Sequence, residues 1–595
     1  MISPRPRLPR KKVTTRRTGL LSDKTKLLLL AVLVGLLCGC AAILLKTLIH
    51  WIQTGLTSWF RNPADGLLLL VYPGVGMLLS MLFVRYILKD DISHGVTKVL
   101  QSVSKNESNI KAHNTWSSVA ASAVTIGFGG SVGAEAPIVY SGAAIGSTVA
   151  RWAGLSYKDM TMLLGCGAAA AIAGIFKAPL AGVLFTLEIL LFNMSMNAIL
   201  PLLLSSVTAT VVTYIFMGND VQFAGSIEAF RLGNIPFYLL LGIFCGFMSL
   251  YFIRVTLKVE DRMRRFRNPL WRWAICALLL GVLIFLFPPL YGEGYHSLSL
   301  MLNNNPGAVS RAVFGDKLLS NQWIFLLYFA AILLFKVFAT AFTNAGGGVG
   351  GTFGPTLVSG GLAGFVVARL INLSGIALVP EANFVLVGMG GLMAGVMQAP
   401  MTAIFLIAEI TGGYELLIPL IVTASVSYGT IRMFERYSIY TKRIAAQGEL
   451  LTHDSDQAVL TLLQTDTLIR DKYPRVQIDA TLREVVDVVT GSDAAVLAVI
   501  DRQGRFQGMV DVASTRRVLF DSTKYDKLHV YNIMESAPDY IFSGEKMESV
   551  MNKFERTGAW RLPVVDADRK YLGFISKSRL LMAYRAELKE IASED

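Results

Sequence analysis

Eight long apolar runs constrain this chain more than any other feature: 27–49, 66–88, 159–176, 197–216, 236–253, 272–290, 323–342 and 415–431. About 18 or more apolar residues in a row is the length that carries an α-helix across the hydrocarbon core of a bilayer. The pieces between them are shorter and glycine-rich, 117–150 and 345–372 most clearly. A short apolar piece crosses only part of a bilayer, so the backbone groups it leaves unpaired must be buried in protein or face water. The pattern predicts a polytopic membrane protein whose pathway is built from broken helices. Charge placement agrees, because residues 451–595 hold 43 of the 97 charged side chains and form a tail of ordinary soluble composition. A wholly soluble enzyme, a secreted disulfide scaffold and a disordered chain are excluded.

The net charge of +13 does not point to a nucleic-acid partner, since the tail carries 20 basic against 23 acidic residues. The excess lies in the membrane part, and nine basic residues fall within residues 1–26. A basic arm just before the first apolar run places the N-terminus in the cytoplasm. The run 27–49 is too long for the apolar region of a secretory signal, and is expected to be a first membrane helix. The five cysteines (Cys38, Cys40, Cys166, Cys245, Cys276) lie in apolar stretches without metal-ligand spacing, so no metal is expected.

The membrane part repeats internally. GAAAAIAGIFKAPLAGVLFTLEI (167–189) aligns without gaps on GMGGLMAGVMQAPMTAIFLIAEI (388–410), with seven of 23 positions identical. Upstream, GGSVGAEAP (129–137) aligns on GGVGGTFGP (347–355). Two membrane halves follow, about 27–220 and 235–445. Paired interrupted segments in corresponding positions of two halves are where a transport site is expected. The tail holds a smaller repeat at an offset of 65, Leu497–Asp501 with Gly508–Val510 matching Leu562–Asp566 with Gly573–Ile575, which predicts a tandem α/β module.

Glycines placed just before a helical run turn backbone N–H groups toward one point, and a helix N-terminus adds about half a positive charge. The two Gly-rich segments are therefore candidate anion donors that lack a full cation, and so hold an anion loosely enough to release it. Glu135 stands in the first segment where the second has Phe353. A membrane carboxylate costs about 3 kcal/mol; here it competes with an anion, and a proton would remove that competition, making it a candidate gate and proton acceptor. Glu188 and Glu409, kept in both halves, read instead as buried carboxylates that satisfy backbone N–H groups.

These residues resemble the CLC chloride channels and proton/chloride antiporters over roughly residues 25–445. The matching motifs are GAEAP (133–137), GTFGP (351–355), the stretch 167–188, GEGY (292–295) and SIY (438–440). The tail resembles a pair of CBS domains, at 455–525 and 526–590. The resemblance implies an all-α membrane fold of two inverted helical repeats plus an α/β CBS pair, with one pore per subunit of a homodimer in the cell membrane and a cytoplasmic tail. It implies a central chloride held by the N–H groups of Thr352 and Phe353 and the hydroxyl of Tyr440, an outer site near Ala134 and Glu135, and Glu135 as the gate. The family's GSGIP motif stands here as SHGVT (93–97), so His94 takes the place of the selectivity serine, beside Gly95. The family's internal proton-transfer glutamate aligns with Ile189, and the usual basic residue of the outer mouth is Ala134, which predicts a weaker positive potential there. Passive chloride conduction is the expected function, with proton-coupled antiport as the alternative. In the tail, Asp511, Ser514, Ser576 and Arg579 occupy the positions that could hold an adenine nucleotide.

Two other functional classes fit the sequence poorly. Gly129–Gly133 fits G-x-S-x-G around Ser131, but no histidine sits in a partner motif, so no enzyme is expected. A CBS-linked magnesium carrier would need several carboxylates along its path, and few stand in the membrane part.

Overall fold

The structure is a computed structural model that describes residues 23–58, 68–105, 108–190, 198–219, 223, 225, 227–303, 305–309, 321–445, 463, 465–469, 473–492 and 494–593. Most of the basic arm 1–26 lies outside these residues. The chain divides into two units, Met1–Leu450 and Leu451–Asp595.

The first unit is helical. Its first half comprises α1 (Asp23–Ser58), α2 (Leu68–Leu82), α3 (Gly95–Lys105), α4 (Asn114–Gly127), α5 (Glu135–Trp152), α6 (Tyr157–Phe176), α7 (Pro179–Ile189) and α8 (Ile199–Met217). Its second half comprises α9 (Ile235–Arg264), α10 (Pro269–Leu286), α11 (Tyr295–Leu302), α12 (Gln322–Ala345), α13 (Phe353–Ser374), α14 (Glu381–Met397), α15 (Pro400–Thr411), α16 (Leu417–Arg432) and α17 (Ile439–Ala445). Among the described residues, eight helices are long and apolar enough to cross a membrane, and α7, α14, α15 and α16 are apolar but shorter. Seven of the eight long runs coincide with these helices; the run 415–431 is the shorter α16, and α13, largely within the glycine-rich piece expected to cross only part of a bilayer, is long enough to span it.

The two halves are inverted repeats, and their equivalent residues make reciprocal contacts. Small residues let the broken helices cross closely, since apolar lipid gives no hydrophobic reason for helices to associate. A methyl group at Gly142 of α5 would lie 2.2 Å from the carbonyl oxygen of Gly167 in α6. Gly360 of α13 meets Gly388 of α14 in the same way, at 2.5 Å. Lys177 and Gln398 end α6 and α14 in the left-handed region, with φ of 58° and 54°. An Ala-Pro follows each, and proline at the first helical position restarts the chain as α7 or α15.

Carboxylates then tie the halves together. Glu188 accepts from the N–H groups of Met401 (3.1 Å) and Thr402 (2.7 Å) and from the Thr402 hydroxyl (2.7 Å). Glu409 accepts from the N–H groups of Leu180 (3.0 Å) and Ala181 (2.8 Å). Each half thus caps the N-terminus of a short helix in the other, which is the structural role their repetition predicts.

The second unit contains two three-stranded sheets of identical topology. The first has strands β1 (Arg475–Gln477), β2 (Val496–Ile500) and β3 (Phe506–Asp511), and the second β4 (Ile541–Phe542), β5 (Arg561–Val565) and β6 (Tyr571–Ser576). In each, the first pair is parallel and the second antiparallel, with a bulge at Val499/Ile500 and again 65 residues later at Val564/Val565. Helices α18 (Leu482–Thr490) and α19 (Val512–Leu519) accompany the first sheet, and α20 (Met547–Thr557) and α21 (Lys577–Ser593) the second. Val530 packs into the core of the first sheet, while Leu468 packs into that of the second. The first core thus reaches forward to Val530, and the second reaches back to Leu468.

Candidate functional site

The site forms where both halves break. Neither α4 nor α12 continues through its glycines: α4 ends at Gly127 and α5 starts at Glu135, while α12 ends at Ala345 and α13 starts at Phe353. Each break turns on a glycine in a region that disfavours side chains, Gly129 (φ 93°) and its equivalent Gly347 (φ 100°). The Ser131 N–H donates to Thr343 Oγ1 at 3.2 Å, and the equivalent Val349 N–H donates to Thr125 Oγ1 at 3.0 Å. The loops then meet in a two-residue antiparallel bridge, with Gly133 N–H to Gly351 O at 3.0 Å and Gly351 N–H to Gly133 O at 2.7 Å. Two helix N-termini, those of α5 and α13, consequently start beside one another in the interior.

Ala134, Glu135, Thr352 and Phe353 are brought together at this bridge, all of them buried. The first intrahelical bond of α13 runs from Thr356 N–H to Thr352 O, so the N–H groups before it have no partner within the helix. Glu135 takes one of them: its Oε2 accepts from Gly354 N–H at 3.2 Å, while Oε1 accepts from the Tyr295 hydroxyl. A carboxylate of the first half therefore sits on the helix start of the second, where an anion is expected. Phe353 packs between Phe176 and Phe185, with ring centroids 5.5 and 6.2 Å away.

Tyr440 lies buried in α17 with its hydroxyl beside the buried Thr352 hydroxyl, and among the described residues neither has a further hydrogen-bond partner. Two hydroxyls that have only each other at the start of α13 leave one O–H without an acceptor, which is costly in a dry interior. Thr97 Oγ1 of α3 meets the Tyr440 carbonyl at 3.5 Å, and a methyl at Gly95 would lie 2.3 Å from Ala136 O, so α3 closes over the same region. His94 precedes α3 in a left-handed conformation (φ 54°), and its Nε2 lies 3.6 Å from Glu260 Oε2. Arg443 binds the same oxygen at 2.7 Å. The imidazole thus faces an ion pair in a cavity of about 240 Å³ whose wall includes Arg85, Arg264 and Arg272.

Four residues absent from the sequence-based site join it. Glu293 Oε1 accepts the Ala134 N–H at 3.1 Å. Tyr295 holds Glu135. Buried Lys336 donates to Ser131 Oγ (2.8 Å) and Gly292 O (3.0 Å). Lys46 of α1 lines a cavity of about 190 Å³ together with His50, Ala134, Glu135, Glu293 and Tyr295. The amino groups of Lys46 and Lys336, from α1 and α12, thus stand near the Glu135 and Glu293 carboxyls. Lone charges within otherwise apolar runs were the available signal.

A family model described as voltage gated chloride channel matches residues 75–432, more than half of the chain, and a CBS domain model matches residues 530–586. The chain belongs to the voltage-gated chloride channel (CLC) family. It is similar to a chloride channel protein described as ClcB-like from Ralstonia nicotianae, 28% identical over 69% of this chain and 95% of that protein. It is also similar to the H(+)/Cl(-) exchange transporter ClcA of Vibrio cholerae serotype O1, 26% identical over 68% of this chain and 86% of that protein. A solved slow cyanobacterial Cl-/H+ antiporter shares its fold, with a TM-score of 0.61 at 24% identity over 72% of this chain and 98% of the other. This CLC chain is a multi-pass membrane protein of anion transport with a CBS domain in its tail.

In that tail, Asp511 caps α19 through the Ala513 N–H (2.8 Å), Ser514 donates to Glu535 (2.9 Å), and Ser576 accepts the Arg579 N–H (3.3 Å). These groups serve helix starts and a neighbouring carboxylate.

Proposed function

We propose that the chain passes chloride through a path in each subunit of a homodimer in the cell membrane, with the N-terminus and tail in the cytoplasm. The central ion is held by the N–H groups of Thr352 and Phe353 and the hydroxyl of Tyr440, the outer ion lies near Ala134, and Glu135 is the gate. His94 and Gly95 border the inner approach. The observation that carries this reading is the Glu135 carboxylate on the Gly354 N–H, because a protein anion there stands in the place of a transported one. Protonation neutralises the carboxylate and withdraws its claim on the helix N-terminus. The tail is a CBS pair comprising 455–525 as well as 526–590. With Asp511, Ser514 and Ser576 engaged as they are, the tail acts in assembly or gating, and an adenine nucleotide is its secondary candidate ligand.

The test is chloride efflux from proteoliposomes. E135Q is expected to raise efflux at neutral pH about tenfold, the scale of one charge-assisted hydrogen bond; unchanged efflux overturns the gate. Proton-coupled antiport is the second reading, favoured by the exchange activity named for the Vibrio relative. Against it stand Ile189, which cannot relay a proton, and Glu188 beside it, whose oxygens are taken by α15. Uphill proton movement driven by a chloride gradient decides for antiport, and its absence for passive conduction.

A further inference from the structure

Both interior helix starts carry a carboxylate, and only one has been given a role. Gly354 N–H of α13 donates to Glu135, and Ala134 N–H, the outer donor in the reading above, donates to Glu293 Oε1 at 3.1 Å. Both carboxylates border the same cavity of about 190 Å³. We propose that Glu293 is a second gating carboxylate, which occupies the outer anion position while Glu135 occupies the next one inward, so that an ion entering from this cavity displaces both. The inference rests on the reading of Glu135 as a gate.

Holding the loop in place does not account for Glu293. The loop is already anchored by the Gly292 N–H on Gly129 O at 3.0 Å and by Lys336 Nζ on Gly292 O at 3.0 Å. A neutral side chain would accept one N–H as well, without the cost of a desolvated charge. Burial, and then the neighbouring Glu135, push the Glu293 carboxyl above its ordinary value, so it takes up a proton more readily than an exposed carboxyl. The groups facing it are Lys46 and His50 from α1, Glu135 from α5, Tyr295 from α11 and Lys336 from α12, with Lys177 in reach of Lys46. Two carboxylates border the way in, so an arriving chloride meets like charge unless a carboxylate withdraws or takes up a proton. Proton uptake converts Glu293 from acceptor-only to a neutral acid and frees the Ala134 N–H for the ion.

The experiment is chloride efflux from proteoliposomes, measured from acid to neutral pH for the wild type, E135Q, E293Q and the double variant. E135Q is expected to be faster at neutral pH and still to accelerate about tenfold on acidification; E135Q/E293Q is expected to be fast and flat. If E135Q is already flat, or if the double variant keeps the acceleration, Glu293 is not a gate. If E135Q is no faster than wild type at neutral pH, it is the Glu135 reading that fails. Should E293Q not fold, infrared difference spectroscopy of E135Q decides instead. Chloride addition at acid pH is expected to produce a new carboxylic-acid band, and no such band overturns the proposal.

Discussion

The helix that starts at Glu135 and the helix that starts at Phe353 are equivalents in two halves, and they differ in an informative way. At an offset of 218, Thr125 and Thr343 exchange hydrogen bonds with the opposite loop, Gly129 and Gly347 make the same turn, and Gly133 and Gly351 pair with each other. Glu188 and Glu409 exchange caps likewise. The symmetry does not extend to the charged residues around the two helix starts. Glu135 faces Phe353, Lys336 corresponds to Ser118, and Glu293 belongs to a loop of the second half that reaches into the start of α5. Residues kept in both halves build the scaffold, whereas unpaired ones make its two helix starts unequal.

The largest effect should come from breaking the symmetric part. E188A strips the acceptor from two N–H groups at the start of α15, and E409A does the same at α7. In each pair one donor is part-buried and one exposed, and an unsatisfied buried donor costs about 1–3 kcal/mol, so each variant should lose about 2 kcal/mol, the two by similar amounts. Thermal unfolding of the purified protein in detergent checks this. A stable E188A that has lost transport would instead place Glu188 on the asymmetric, functional side.

A smaller effect is expected at the Tyr440 hydroxyl. Y440F keeps the ring that fills the buried site and removes only the Oη, whose neighbour is the Thr352 hydroxyl. If that oxygen donates to the central ion, chloride binding measured by calorimetry weakens about tenfold, as for one hydrogen bond to a charged group. Unchanged affinity would remove Tyr440 from the site and leave its hydroxyl without a role.

Much of the scaffold is legible in the sequence because it depends on local pattern. Run lengths mark the spans, Ala-Pro marks the restarts of α7 and α15, and the aligned glycines mark both breaks, so the starts at Glu135 and Phe353 follow directly. The outer cavity is less legible because its charges come from α1, α11, α12 and the intervening loops, which only the fold brings together. GEGY carries Glu293 in plain view, yet nothing local says that its carboxylate reaches Ala134. SHGVT likewise shows a histidine at the serine position, and nothing in those five residues reveals Glu260 of α9 as its partner.

The smallest effect tests whether the same rule of unpaired residues holds in the tail. Glu545 in the second sheet's unit corresponds, at the offset of 65, to Ala480 in the first. Burial pushes the Glu545 carboxyl up, but hydrogen bonds from Lys553, Ser549 and the Phe542 N–H outweigh it and hold the group below its ordinary value. A carboxyl depressed in the folded state contributes stability above its unfolded pKa and loses that contribution as pH falls through the folded value. Amide-exchange protection around α20 in the full-length protein should therefore decline on acidification through and below the usual carboxylate range, more steeply than around α18, where alanine stands instead. E545Q should remove the difference between the two units. Equal acid sensitivity in the wild-type units would show that this unpaired charge does nothing for the fold, and that in the tail, unlike the membrane unit, asymmetry of sequence carries no asymmetry of behaviour.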